Sequence, residues 1–236
     1  MMVKNEHKRI HVTLDSIKNF ADSLVIYDTG STDNTLDICR DFCEKNNISL
    51  RLKEGVFANF SDSRNVSLDF ADTFEDIDYL LLLDVNDELR GGDKLRKYAE
   101  EYLKTDKTSF LIHQEWWSGT INKYYNSRFL KPRTGWRYTG VVHEYLKKNN
   151  SLADDSEIQK ISDNDIVLYQ DRTQDDDKTG KRFHRDEILL KEEYRKDPTE
   201  PRNVFYLAQT YSCLGNYEDA YYFYKIRTTL IGFYEE

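Results

Sequence analysis

Two apolar runs constrain this chain more than anything else in it. SLVIYD (Ser23–Asp28) and YLLLLD (Tyr79–Asp84) have strand length, and each ends on an aspartate. Short continuous apolar runs with polar ends are typical of strands buried on both faces. Between them, TLDICRDFCEKN sets Leu36, Cys39 or Arg40, and Cys43 along one helical side, SLRLKEG alternates like a strand, and SDSRNVSLDFADTF reads as a helix capped by Ser61 or Asp62. Ahead of them, RIHVTLDSIKNF places Ile10, Leu14 and Ile17 on one helical face. MMVK is the stub of a strand, short of the usual ~5 residues. Strand, helix, strand, helix, strand predicts a doubly wound α/β sheet.

Ligands of such sheets bind at the carboxyl ends of the strands. Three polar clusters fall there: KNE (Lys4–Glu6), DTG (Asp28–Gly30) and DVND (Asp84–Asp87). Asp and Asn are good turn residues, and their oxygens also suit Mg²⁺ or Mn²⁺. Both readings of DVND stay open on the residues alone.

Downstream, KLRKYAEEYLK reads as a helix, and TSFLIHQEWWSG with KYYNSRFLKP as an antiparallel pair turning around Gly119. GWRYTGVVHEYL is expected to be a further strand, residues 149–165 a loop and DIVLYQ a last strand. From Lys181 the pattern is helical. NVFYLAQTYSCLGNYEDAYYFYKIR has the spacing of one tetratricopeptide unit, with Tyr206, Leu207, Leu214, Gly215, Tyr217, Ala220 and Tyr224 at interlocking positions. We therefore expect an α/β domain over 1–175 and a helical appendage over 176–236. The sequence stops inside that unit, so a longer natural protein is expected.

The formal charge of -9 and the lack of a basic block argue against a nucleic-acid partner. No run reaches the ~18 apolar residues of a membrane span, and MMVKNEHKRI is no signal peptide, so a cytoplasmic location is expected. Cys39, Cys43 and Cys213 offer no disulfide framework and read as buried small hydrophobes. Asn-x-Ser/Thr triplets at Asn47, Asn59, Asn65 and Asn149 would matter only in a secretory compartment.

Taken in order, MMVKNE, DTGSTDNT, FANFSDSRN, LLLDVNDEL and GVVHEYL resemble the family 2 glycosyltransferases of GT-A fold. The branch with C-terminal tetratricopeptide-like helices is the nearest in pattern. The resemblance implies a Rossmann-like sheet and a donor site formed by Val3, Glu6, Asp28, Arg64, Asp84, Lys181 and Arg182. Asp28 would receive the nucleotide base or ribose; its alternative is an Asx turn. A guanidinium at Arg64 suits phosphate oxygens. DVND stands where the family has Asp-x-Asp, with Asn86 replacing the second acid, so the implied metal site of Asp84, Asn86, Asp87 and His143 is one charge poorer. Mn²⁺ is the expected cofactor, with Mg²⁺ as the alternative. Glu144 is the candidate base, with Asp87 and Glu115 as competitors. On a strand His143 and Glu144 would point to opposite faces, so both can serve one site only if the chain turns there.

Lys178, Lys181, Arg182 and Arg185 in DDDKTGKRFHR form either a lid over a diphosphate or a solvated charge run. Trp116, Trp117 and Trp136 form either a sugar-stacking wall or core. The implied activity is metal-dependent, inverting transfer of a hexose from a UDP-sugar to an acceptor that is not legible, a protein or a glycan. The rival reading is a catalytically inactive nucleotide-sugar or peptide-binding module. A sugar-phosphate nucleotidyltransferase needs a Gly-rich phosphate loop after the first strand, and VKNEHKR has no glycine.

Overall fold

The computed structural model describes residues 1–148, 155–173 and 178–232. They fall into two compact units: Met1–Ala58, Asp62–Tyr138 and Leu146–Thr173 form the first; Asn59–Ser61, Thr139–Tyr145 and Gln174–Glu236 form the second.

In the first unit, β1 (Met2–Val3), β2 (Ser23–Asp28) and β3 (Ser49–Glu54) form a parallel sheet in the order β1-β2-β3. The crossovers are α1 (Ile10–Ile17) and α2 (Thr35–Asn46). The sequence period shows directly in burial: Ile10, Leu14 and Ile17 of α1 and Cys39 and Cys43 of α2 face the core. Asn47 ends α2 in the left-handed region, φ 56°, a conformation that asparagine tolerates.

The helix α3 (Phe60–Asp72) precedes β4, which is only Leu80–Leu81. The expected long buried strand is therefore mostly irregular, and both of its strand residues are half-buried. The strand β4 opens a mixed sheet with β5 (Asp87–Arg90), β6 (Ser109–Trp117), β7 (Ile121–Leu130) and β11 (Val167–Asp171), in the order β4-β7-β6-β11-β5. The pair β6–β7 is antiparallel about Gly119, φ 91°, as the sequence predicts. The helix α4 (Gly92–Tyr102) buries Leu95. Instead of one doubly wound sheet, the parallel strands and the mixed sheet are separate hydrogen-bonded units.

GWRYTGVVHEYL is not one strand. It forms β8 (Trp136–Thr139) and β9 (Tyr145–Lys148), paired across a turn with Gly140 at φ 98° and His143 at φ 49°. Of the expected loop 149–165, residues 149–154 lie outside the described residues, whereas Ile158–Lys160 form β10 beside β6.

The second unit holds α5 (Lys178–Lys196), α6 (Pro201–Cys213) and α7 (Tyr217–Arg227). Pro201 occupies the first turn of α6, and the Glu200 side chain caps it by accepting from the Asn203 N–H at 2.6 Å. Leu190, Leu207, Tyr211 and Ala220 form its core with Val142. Cys213 is exposed, which corrects the buried reading for that cysteine. Among the described residues no helix is long and apolar enough to cross a membrane.

Candidate functional site

The loops that follow β1 and β2 are knitted together by short polar side chains. Asn5, left-handed at φ 53°, accepts from the Thr32 N–H at 2.7 Å, and its own N–H donates to Ser31 Oγ at 3.0 Å. The Glu6 N–H donates to Thr35 Oγ1 at 2.7 Å, and the Glu6 carboxylate accepts from Arg9 at 2.9 Å. His7 Nδ1 pairs with Asp33 at 2.6 Å. Val3 is buried, and its carbonyl accepts from the N–H and hydroxyl of Thr29.

Asp28 is 3 % exposed, and its carboxylate closes the DTGS turn. Oδ2 accepts from the N–H groups of Gly30 and Ser31, at 3.2 and 2.9 Å, and Oδ1 from the Ser31 hydroxyl at 2.5 Å. This is the Asx turn that the sequence offered as the alternative to ligand binding. Gly30 sits at φ 98°, where a side chain would be strained.

The centre of the site is Asp84. One carboxylate oxygen accepts a short bond from Arg64 of α3, and the other accepts from Arg128 of β7 at 3.1 Å. The two guanidiniums hold this carboxyl far below its usual range despite burial. Arg64 also lies against the Tyr138 ring, 5.3 Å from its centroid. Arg128 is the residue that the sequence reading missed.

DVND forms a tight turn around these groups. Asp87 is fully buried: Oδ2 accepts the Asp84 N–H at 2.7 Å and Oδ1 accepts from Gln170 Nε2 at 3.2 Å. Burial, then the neighbouring Asp84 charge, pushes its pKa up to about 7. Asn86 is left-handed, φ 87°. Its N–H donates to Thr13 Oγ1 at 2.9 Å, and its Nδ2 donates to the Asp171 carbonyl at 3.0 Å, which leaves the side-chain oxygen as its open group.

Arg64, Asp84, Asn86 and Asp87 thus come together in the first unit, with Asp28 and Glu6 on neighbouring strand ends. His143, Glu144 and Arg182 belong to the second unit. There the His143 ring stacks on Tyr206 at 4.0 Å, and its carbonyl accepts from Arg202 at 2.5 Å. Burial of the ring, then Arg202 and Arg182, lowers its pKa to about 4. The residue as a whole is exposed, so water screens part of that shift. Burial, and more weakly the Glu144 charge, raises the Asp186 pKa. The Lys181 side chain lies outside the described residues. The basic run is helical from Lys178, and Arg185 pairs with Asp186 at 3.2 Å and lies over Phe60.

Glu115 is held by Lys123 across the β6–β7 ladder at 2.6 Å. Trp136 is core, its indole N–H donating to Thr108 at 3.0 Å, which removes it from any sugar wall. Trp116 is covered by Arg172 at 3.4 Å, and Trp117 is 37 % exposed.

The residues implied for a metal do not fit a preformed cation site. Two guanidiniums already neutralise Asp84, Asp87 is buried and fully hydrogen-bonded, and Asn86 adds only a neutral oxygen. Among the described residues no group of three or more His, Cys, Asp or Glu side chains converges as a metal cage.

Residues 1–165 match the family described as Glycosyl transferase family 2. The chain belongs to that family of transferases and has its GT-A fold. Similar solved structures include S. aureus TarS 1-349 in complex with UDP (16% identity, TM-score 0.48) and S. aureus TarS 1-349 (15%, 0.47). Each alignment covers 89% of this chain and 68% of that one. Another S. aureus TarS structure aligns at 17% identity and TM-score 0.47, over 89% of this chain and 41% of the other. No match was found among curated proteins.

Proposed function

We propose that the protein transfers a hexosyl group from a UDP-sugar to an acceptor hydroxyl or amide, with inversion at the sugar C1. The observation that carries this reading is the convergence of Arg64 and Arg128 on Asp84 beside the strand ends. Two guanidiniums face the ionised Asp84, and burial keeps the neighbouring Asp87 partly protonated, so a partial local positive excess remains in a chain of formal charge -9. A nucleoside diphosphate suits that excess, because guanidiniums pair bidentately with phosphate oxygens. Asp28 and Ser31 would receive the nucleoside, Asp28 through the lone pairs that its turn leaves open. Glu6 and Val3 would border it; Lys181 and Arg182, the remaining candidate donor residues, belong to the second unit.

In the transfer the acceptor oxygen or nitrogen forms its bond to C1 as the C1–O bond to the diphosphate breaks. Glu144 takes the acceptor proton, and UDP leaves with the bonding pair. Arg64 and Arg128 stabilise the charge that develops on the departing diphosphate. Asp87 positions rather than reacts: its buried carboxyl fixes the Asp84 backbone. A divalent cation enters this proposal only in company with the nucleotide. With the nucleotide bound, the side-chain oxygens of Asp84 and Asn86 would be the groups to hold Mn²⁺, whose charge would stabilise the leaving group. His143 is the remaining candidate ligand.

The test is calorimetry with UDP, with Mn²⁺ and with both, followed by a hydrolysis assay on UDP-hexoses. UDP binding that is lost in Arg64→Ala supports the proposal. No binding of any nucleoside diphosphate with or without Mn²⁺ overturns it. Binding without transfer or hydrolysis would leave the inactive binding module, for which the tethering of Asn86 to Asp171 already argues.

A further inference from the structure

The two faces of the β6–β7 ladder differ in chemistry. Residues opposite each other in register share a face, and neighbours along a strand alternate. On one face Glu115 lies opposite Lys123 and His113 opposite Tyr125. That face is charged and largely paired: Lys123 holds Glu115 at 2.6 Å, and the Lys160 ammonium sits 3.7 Å from the centroid of the Tyr125 ring. On the reverse face Gln114 lies opposite Tyr124, Trp116 opposite Asn122 and Ile112 opposite Asn126. Gln114, Trp116, Asn122, Tyr124 and Asn126 thus make a strip of amides and rings without a carboxylate, in a chain with 43 acidic residues.

The strip is organised, yet its polar groups are not used up. Gln114 Oε1 accepts from the Tyr124 hydroxyl and from Asn126 Nδ2, each at 3.1 Å. These bonds fix both amides and leave Gln114 Nε2 and Asn126 Oδ1 without partners among the described residues. The Trp116 ring meets Tyr124 edge-on, with centroids 5.0 Å apart, and its indole N–H is buried and unpartnered among the described residues. So is Arg128 Nε, where the strip reaches Asp84. A buried donor without a partner is costly in a folded protein and calls for one.

We propose that the strip from Arg128 to Asn122 binds a neutral oligosaccharide, and that such a chain is the acceptor of the transfer. Hydroxyl groups both donate and accept, as the two ends of an amide do between them. The C–H face of a sugar ring is apolar and packs against aromatic rings such as Trp116 and Tyr124. An anionic polymer needs a row of cations, and the two beside the strip, Arg128 and Arg172, are engaged by Asp84 and Gln170. An extended peptide is read mainly by backbone bonds at a strand edge, not by side chains on a sheet face. From Arg128 to Asn122 the strand spans about 20 Å, which exceeds the one hexose that a donor carries and accommodates several sugar units. The assignment of this chain as acceptor rests on the transferase reading; the binding itself does not.

The test is calorimetric titration, with and without UDP, using cellotetraose, maltotetraose, chitotetraose, the corresponding disaccharides and a serine- and threonine-rich octapeptide. At least one tetrasaccharide is expected to bind about tenfold or more tightly than its disaccharide. Asn126→Leu and Trp116→Phe, which roughly keep bulk, should each weaken it by about tenfold or more. Asn122→Ala, at an exposed position, should remove the gain from disaccharide to tetrasaccharide, and it decides alone if the other two variants do not fold. Lys123→Ala on the reverse face should change nothing, and UDP affinity should be the same in all four variants. If UDP binds and no tetrasaccharide does, the proposal falls and the transferase reading stands. If a tetrasaccharide binds as described and no nucleoside diphosphate does, the transferase reading falls and takes the acceptor assignment with it, while the carbohydrate site stands. Tetrasaccharide affinity unchanged in the strip variants overturns the site, as does octapeptide binding that those variants abolish. Weakened binding of the UDP-hexose with oligosaccharide affinity unaltered would give the strip to the donor's own sugar and also overturns the proposal.

Discussion

At Asn86 a single amide does what a carboxylate cannot. Its Nδ2 donates to the Asp171 carbonyl at 3.0 Å, so an aspartate would bring an anionic oxygen against that acceptor. Asn86→Asp is expected to lose about 1–3 kcal/mol of stability, the usual cost of a buried polar group left without its partner, measured by urea unfolding. A gain in stability would mean that the Asp171 contact carries no weight. Asp87 sets a pH dependence. Its folded pKa is near 7 against 3.8 for the unfolded chain, so between about pH 4 and 7 the folded state keeps a proton that the unfolded state releases. Stability contributed by this group therefore falls as pH rises through that window and is flat above it. Asp84 has the opposite sign, its contribution being lost only as pH falls below the carboxylate range. Asp87→Asn should flatten the urea midpoint between pH 4 and 7; an unchanged profile would place the titration elsewhere. The acids of this cluster were legible in DVND, and Arg64 in SDSRN. Arg128 was not, because it meets Asp84 only through the pairing of β7 with β4, 44 residues away in sequence. Its one signal is a lone arginine immediately before the buried pair Phe129–Leu130.

Elements with a clean period were read correctly from sequence, and those set by long-range pairing were not. For β2, α1 and α2, local pattern and burial agree. In YLLLLD the apolar run implied a full strand, yet only Leu80 and Leu81 pair, because one edge of that segment faces a cavity and not a neighbouring strand. The break in GWRYTGVVHEYL was missed because its apolar residues continue through the turn; Gly140 was the available cue. The loops after β1 and β2 make an element-scale prediction. Asn5→Ala removes the acceptor for the Thr32 N–H at 2.7 Å and puts alanine at φ 53°, so it should cost about 1–3 kcal/mol. The UDP-induced thermal shift should shrink with it, since the Asp28–Ser31 turn loses its brace. A full thermal shift in a destabilised variant would show that this loop pair supports the fold alone.

Across the whole molecule, the proposed donor groups with defined geometry, Asp28, Arg64, Asp84 and Arg128, all lie in the first unit, whereas Glu144, His143, Lys181 and Arg182 lie in the second. On the proposed assignment, that division separates nucleotide binding from chemistry. Arg128→Met preserves bulk in a buried position and removes one of the two guanidiniums, so UDP affinity should fall by about tenfold or more, the worth of one charge-assisted hydrogen bond. Leu207→Ala acts on the other unit: it hollows the core around Leu190, Tyr211 and Ala220 and should destabilise that unit by about 2–5 kcal/mol. At temperatures where the variant remains folded, its UDP affinity is expected to match that of the unaltered protein. Calorimetric titration of both variants with UDP decides the matter. If Leu207→Ala weakens UDP binding as much as Arg128→Met does, nucleotide contacts extend into the second unit, Lys181 and Arg182 become the first residues to substitute, and the separation argued from Arg64, Asp84 and Arg128 is wrong.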